Sequence, residues 1–145
     1  MRVVIQRCKY ARCLVDKKIT GEINHGLLIL VGFTHGDDFD KVKKMAKKIV
    51  NLRIFEDENQ KMNLSVLNVH GEILSISQFT LYANTSGGNR PSFIESLEPN
   101  KAQSLYLLFN QELKTYGLKV DEGIFGAHME IELLNDGPVT INLEV

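Results

Sequence analysis

An α+β fold, with a mainly antiparallel or mixed sheet and two main helices, is what three observations in the 145-residue sequence predict. The first is the order of hydrophobic periods: two residues in the N-terminal third, 3.6 residues in two central stretches, and two again near the end. The second is Gly26-Leu27-Leu28-Ile29-Leu30-Val31-Gly32-Phe33, apolar on both alternations, as a strand covered on both faces requires. The third is the closing run, where Val139, Ile141, Leu143 and Val145 alternate with Thr140, Asn142 and Glu144. At this length a single domain over 1–145 can bury a proper core.

Taken in order, Arg2 to Val15 reads as a strand or strand pair, with Val3, Ile5 and Arg7 on one face and Val4, Gln6 and Cys8 on the other. Asp16-Lys17-Lys18 is a turn, Ile19 to Ile23 is extended, and Asn24-His25-Gly26 is a second turn before the apolar run. Asp37-Asp38 opens the first helix, since acidic residues suit the positive end of the helix dipole. Phe39, Val42, Met45, Ala46, Ile49, Val50 and Leu52 follow at helical spacing, and Lys41, Lys43, Lys44, Lys47 and Lys48 take the other face. Those lysines are either a solvated face or a contact for RNA phosphate. Glu56 to Lys61 is a polar turn. Glu72 to Tyr82 reads as one strand carrying hydroxyls and an amide at its end. Ala83 to Pro91 is a flexible loop in which Arg90 is free to meet a phosphate or form a structural salt bridge. Pro99, after Glu98, suits the first position of the second helix, whose stripe is Ala102, Leu105, Tyr106, Phe109 and Leu113. Gly117 ends it, Leu118 to Val120 is a short strand, and Met129, Ile131 and Leu133 mark a penultimate strand joined through Gly137-Pro138 to the last.

The apolar fraction of 43% and charged fraction of 24% are those of an ordinary soluble chain, and no apolar run is long enough for a membrane span. The start has too short an apolar run for a secretory signal. The expectation is a cytoplasmic protein with reduced thiols at Cys8 and Cys13. These cysteines lack the spacing and second pair of a zinc site, the histidines are scattered, and neither metal nor cofactor is expected. A net charge of −1 does not announce a nucleic-acid binder, although it permits one that grips a small part of an RNA.

No catalytic constellation of known spacing is present: there is no nucleophile elbow, phosphate loop or HExxH. Thr80 is a nucleophile only if His25, His70 or His128 approaches it through the fold. Asn135-Asp136-Gly137-Pro138 is turn chemistry, and its plain reading is a hairpin. The same pair can instead aim a bare glycine carbonyl at a target, and X-Pro is the one bond for which a cis peptide is cheap.

Together, Ser77-Gln78-Phe79-Thr80-Leu81 and Asn135-Asp136-Gly137-Pro138-Val139-Thr140 resemble the two signature segments of the D-aminoacyl-tRNA deacylases. The likeness runs end to end, through Ile5-Gln6-Arg7, Asn51-Leu52-Arg53-Ile54-Phe55, Met62-Asn63-Leu64-Ser65, Arg90-Pro91-Ser92-Phe93 and Phe125-Gly126-Ala127. It implies that family's barrel-like fold and hydrolysis of the D-aminoacyl-tRNA ester. It also implies a homodimer, in which a cis Gly137-Pro138 enters the partner's active site and its carbonyl excludes L-aminoacyl esters. Glycyl-tRNA, including glycine mischarged on tRNA-Ala, has no side chain to exclude and is expected to be cut. Catalytic positions carried over are Ser77, Gln78, Phe79 and Thr80. Substrate-binding positions are Gly137, Pro138, Met129, Phe125 and Arg7, the last as a brace for the Gly-Pro loop. Because the ester is already activated and a ribose hydroxyl adjoins it, main-chain donors and a held water suffice without a side-chain nucleophile. Two places depart from the family pattern: His128, where an aspartate is expected, and the loop Asn84 to Asn89, less basic than expected. The rivals are a sister deacylase that removes wrong L-amino acids, a non-enzymatic RNA- or protein-binding module on the same sheet, and an unrelated esterase with a base near Thr80.

Overall fold

A computed structural model describes residues 1–145. Strand β1 (Arg2–Val15) is one continuous strand around which the sheet is built. One of its edges is shared by β2 (Lys18–Ile23), which pairs with its second half, and β3 (Gly26–Gly32), which pairs with its first half. The β1–β2 hairpin turns through Asp16 and Lys17, with φ of 49° and 64°; positive φ at both central residues matches the twist of the flanking strands. Beyond β3 lie β6 (Glu72–Ser77) and β7 (Val120–Glu122), each added in parallel, so the sheet is mixed. The sheet curls until its ends meet: Glu22 donates its N–H to Asp121 Oδ2 at 2.9 Å, and Lys119 Nζ donates to Glu22 O at 3.0 Å.

Alternation along the strands makes two cores. Val3 and Ile5 of β1, Leu27, Ile29 and Val31 of β3 and Ile73 of β6 face the helices α1 (Phe39–Val50) and α2 (Pro99–Lys114) in a cluster of 23 buried residues. Cys8, Ala11, Cys13, Ile23, Leu28, Leu74 and Ile76 form a second cluster. The two-faced apolar run of β3 is thus divided between the cores, as expected of a covered strand. Both cysteines are free and buried, and burial pushes the Cys8 thiol up to about 11.

Asp38 caps α1, accepting from Lys41 N at 2.9 Å. Its neighbour Asp37 instead accepts from the Met1 amine at 2.7 Å, with both side groups inaccessible. The helix stops at Val50, short of Leu52, because Asn51 donates its side-chain amide back to Lys47 O at 2.8 Å and ends the turn. Glu98 caps α2 through Asn100 N at 2.8 Å, and Pro99 takes the first turn. Gly117, with φ 79°, lies two residues beyond the Thr115 cap.

Three expectations need correction, and one small hairpin is added to them. The strand read as Glu72 to Tyr82 ends at Ser77, and Phe79–Tyr82 is a 3-10 turn. The short strand lies at Val120–Glu122, two residues later than expected, because Val120 registers against Ile73 while Leu118 packs under the helices. A small hairpin, β4 (Phe55–Glu56) with β5 (Met62–Leu64), flanks the polar turn. Most consequentially, Gly137-Pro138 joins no hairpin. β8 (Glu130–Glu144) runs straight through it and pairs antiparallel with β1 on both sides. The register passes from Gln6↔Thr140 to Cys8↔Asn135, so Asp136, Gly137, Pro138 and Val139 all stand opposite Arg7 alone and bulge from the ladder.

Candidate active site

The turn that carries Gln78 and Phe79 begins where the parallel ladder of β3 and β6 ends. Gln78 N donates to Val31 O at 2.7 Å, and Leu81 N then donates to Gln78 O at 3.3 Å, which closes the first 3-10 bond. Gly32 makes the fold-over possible: a Cβ there would stand 2.9 Å from Gln78 O and 3.1 Å from Leu81 Cβ. Phe79 N and Thr80 N precede the first internal bond of the turn and are left for other acceptors. Ser96 Oγ, from the loop before α2, donates to Phe79 O at 3.1 Å and pins the turn from outside.

A cleft of about 620 Å³ opens beside this turn. Ser77, Gln78 and Phe79 form one wall, while Phe125 and Met129 belong to the facing segment that leads into β8. Phe93, Ser96, Ala102 and His128 line it too, and went unassigned as lining from sequence alone. Phe93, an aromatic just after the polar loop, was the available signal. Phe79 meets Phe93 edge to face at 5.0 Å, and Tyr106 under Phe125 donates its hydroxyl to Ser75 O at 2.7 Å. Such an aromatic, half-open cavity edged by main-chain donors suits a planar, partly apolar ligand presenting a carbonyl.

Thr80 lies outside this lining, on the exposed side of the turn. Its hydroxyl accepts from Gln78 Nε2 at 2.5 Å, and no histidine is bonded to it. Arg90 is exposed and makes no salt bridge.

Gly137 and Pro138 also lie outside the cleft of their own chain, exposed on the β8 bulge, and the bond between them is cis. Arg7, only 4% exposed, sits beneath the bulge. It donates Nε to Asp136 O at 2.8 Å and Nη1 to Ile54 O at 2.7 Å. Asn135 closes the bulge from the other side, accepting from Val139 N at 2.8 Å and donating to Val139 O at 3.2 Å.

The family model described as D-Tyr-tRNA(Tyr) deacylase matches residues 4–144. A D-aminoacyl-tRNA deacylase of Fusobacterium nucleatum subsp. nucleatum is 58% identical over 99% of this chain and 95% of its own. Those of Lactobacillus gasseri and Deinococcus radiodurans are 54% and 52% identical over the whole of both chains. Among solved structures, the "c-Myc DNA Unwinding Element Binding Protein" superposes with a TM-score of 0.94 at 37% identity, covering 100% of this chain and 99% of that one. One described as a "probable eukaryotic D-amino acid tRNA deacylase" superposes at 0.86 with 16% identity over 99% and 98%, a likeness of fold. Fold and sequence together define the class as hydrolases of ester bonds. Within that class, the chain belongs to the D-aminoacyl-tRNA deacylase family.

Proposed function

We propose that the protein hydrolyses the ester of D-aminoacyl-tRNA, and of glycyl-tRNA including glycine mischarged on tRNA-Ala, and spares L-aminoacyl esters. The observation that carries this reading is the pairing of two half-sites. A cleft edged by free N–H groups at Phe79 and Thr80 lacks a filter of its own, while an exposed Gly137-Pro138 bulge lacks a cleft of its own. A second copy of the chain supplies each with the other. The outer edge of β8, which pairs only with β1, supports such docking, because an unpaired strand edge is a natural seat for another chain.

The ester carbonyl lies against the Phe79 and Thr80 N–H groups, which stabilise the oxyanion as it forms. Water adds to the carbonyl carbon, the bond to the ribose oxygen breaks, and that oxygen takes up a proton, leaving free amino acid and RNA. The neighbouring ribose hydroxyl assists, so no side-chain nucleophile is required. Phe79, Phe125 and Met129 line the cleft. The partner's Gly137 carbonyl accepts from the substrate amino group. An L side chain would need the space of that carbonyl, so selection works by exclusion. Arg7 holds the bulge in place through Asp136 O.

Hydrolysis of matched D-Tyr-tRNA, L-Tyr-tRNA and Gly-tRNA tests the reading. Loss of the D and glycyl esters with the L ester spared is expected; loss of all three removes Gly137-Pro138 as the filter. A second reading, a nucleic-acid-binding module without hydrolysis, draws on the 37% identical structure described as a DNA-element binding protein. It predicts that none of the three esters is cut.

A further inference from the structure

We propose that a groove between the C-terminal half of α1 and the end of β8 binds the sugar-phosphate backbone of the RNA that carries the ester. This rests on the reading above that the substrate is an aminoacyl-tRNA. The groove, about 760 Å³, is lined on one side by Lys44, Lys47, Lys48 and Arg53 and on the other by Leu143 and Glu144.

Charge distribution is the first argument. The chain as a whole carries −1, but α1 holds five lysines against one aspartate, a net of +4, which leaves −5 for everything else. A cationic surface on an otherwise acidic protein gathers an anionic polymer in one orientation. The second argument is that the groove's own lysines pair with no carboxylate. Lys41 pairs with Asp37 at 3.1 Å, and Lys43 lies 4.4 Å from the Phe39 ring centre. Lys44, Lys47 and Lys48 meet no carboxylate within 4.0 Å. Arg53 donates only to Asn63, through Nε to O at 2.9 Å and Nη2 to Oδ1 at 2.8 Å. Lys47 and Lys48 complement the negative end of the helix, but Lys44, a turn earlier, has no such role. The one acidic side chain of the groove, Glu144, is drawn off by Arg2 at 3.1 Å.

Position is the third argument. Arg2 Nη1 donates to Leu81 O at 3.1 Å, in the same 3-10 turn that presents Phe79 and Thr80. Arg2 therefore ties Glu144 of the groove to the turn whose Phe79 lines the cleft.

The test is the triple variant Lys44→Gln/Lys47→Gln/Lys48→Gln, with Lys→Arg at the same sites as a charge-preserving rescue and Lys17→Gln/Lys18→Gln as a control elsewhere. Two substrates are compared: D-Tyr-tRNA and its 3′-terminal fragment, D-tyrosyl-adenosine. For the glutamine triple, KM for D-Tyr-tRNA is expected to rise about tenfold with kcat retained, and the preference for tRNA over the adenosine ester to fall by the same factor. The log–log salt slope of uncharged tRNA binding is expected to flatten by roughly two to three, near 0.9 per lost phosphate contact. The arginine triple and the Lys17/Lys18 control should match the parent. An unchanged KM and salt slope in the glutamine triple overturns the groove. Should the parent cut neither ester, the catalytic reading fails by itself, and the salt slope of tRNA binding still decides the groove.

Discussion

Arg7 directs its guanidinium at main-chain oxygens, with Glu56 and Asp136 carboxylates no nearer than 3.6 Å and 3.7 Å. Its two good hydrogen bonds tie Ile54, at the start of the small hairpin, to Asp136, at the base of the bulge. The bulge therefore holds its shape before any ligand arrives. Gly137 has φ 145°, and a Cβ there would stand 2.7 Å from Val139 Cγ2 and 2.9 Å from Val139 N. Gly137→Ala must displace main chain, and a shift near 1 Å at a catalytic group costs about 100-fold in rate. D-ester hydrolysis by that variant should fall on this order; full D turnover with the L ester still spared would sink the filter. Thr80→Ala, by contrast, removes only the acceptor of a Gln78 bond and should stay within about tenfold of the parent, because the N–H of residue 80 survives. A loss on the order of 10⁴ or more in a folded Thr80→Ala protein would instead mark a nucleophile.

At the scale of elements, the close approach of β3 and β6 is set by Gly26, where a Cβ would lie 1.9 Å from Glu72 O. Gly26→Ala must part these strands at the first pair of their parallel ladder, costing about 3 kcal/mol as severe overpacking does. For a chain of this size that lowers the melting temperature by about 10 °C, measurable by calorimetry; an unchanged melt would mean the ladder is free to shift. Periodicity located β1, β3 and both helices because each buries one repeating face. It missed the break at Ser77, since Phe79 and Leu81 continue the two-residue alternation of Ile73, Ser75 and Ser77 into the 3-10 turn. It split β8 in two, because Asp136-Gly137-Pro138 is turn chemistry whichever way the chain leaves it, and only the partner strand reveals that the direction is kept. In the cleft, Ser77, Gln78 and Phe79 were legible as a motif. His128, Phe93 and Ser96 came from segments far apart in sequence, and no local pattern links them.

For the whole molecule, the separation of bulge and cleft within one chain predicts a dimer as the active unit. Sedimentation at micromolar concentration should give twice the 16.4 kDa chain mass, and specific activity should fall on dilution through the dissociation range. A monomer with full activity would require another way to complete the cleft. Mixing two inactive variants sharpens the test, one altered at Gly137 and one at Phe79. Under the proposed reading the two half-sites of one cleft come from different chains, so the mixed dimer should regain one intact site in two. Homodimers of either variant regain none.

β1 and β8 are far apart in sequence, with six strands and two helices between them, yet they lie side by side for most of their length. With synthesis at about 5–20 residues per second, one flank of β1 stays open for roughly 6 to 26 s after it emerges. β2 and β3 follow at once and cover the opposite flank, so the nascent chain waits as a meander with one bare side, a surface suited to chaperones and exposed to aggregation. The Gly137-Pro138 bulge lies on β8 and emerges after Phe79, Phe93, Phe125 and Met129, which line the cleft. On the dimer reading, each cleft is therefore translated before the bulge proposed to close its neighbour's, and the two half-sites can meet only between chains that have both passed β8.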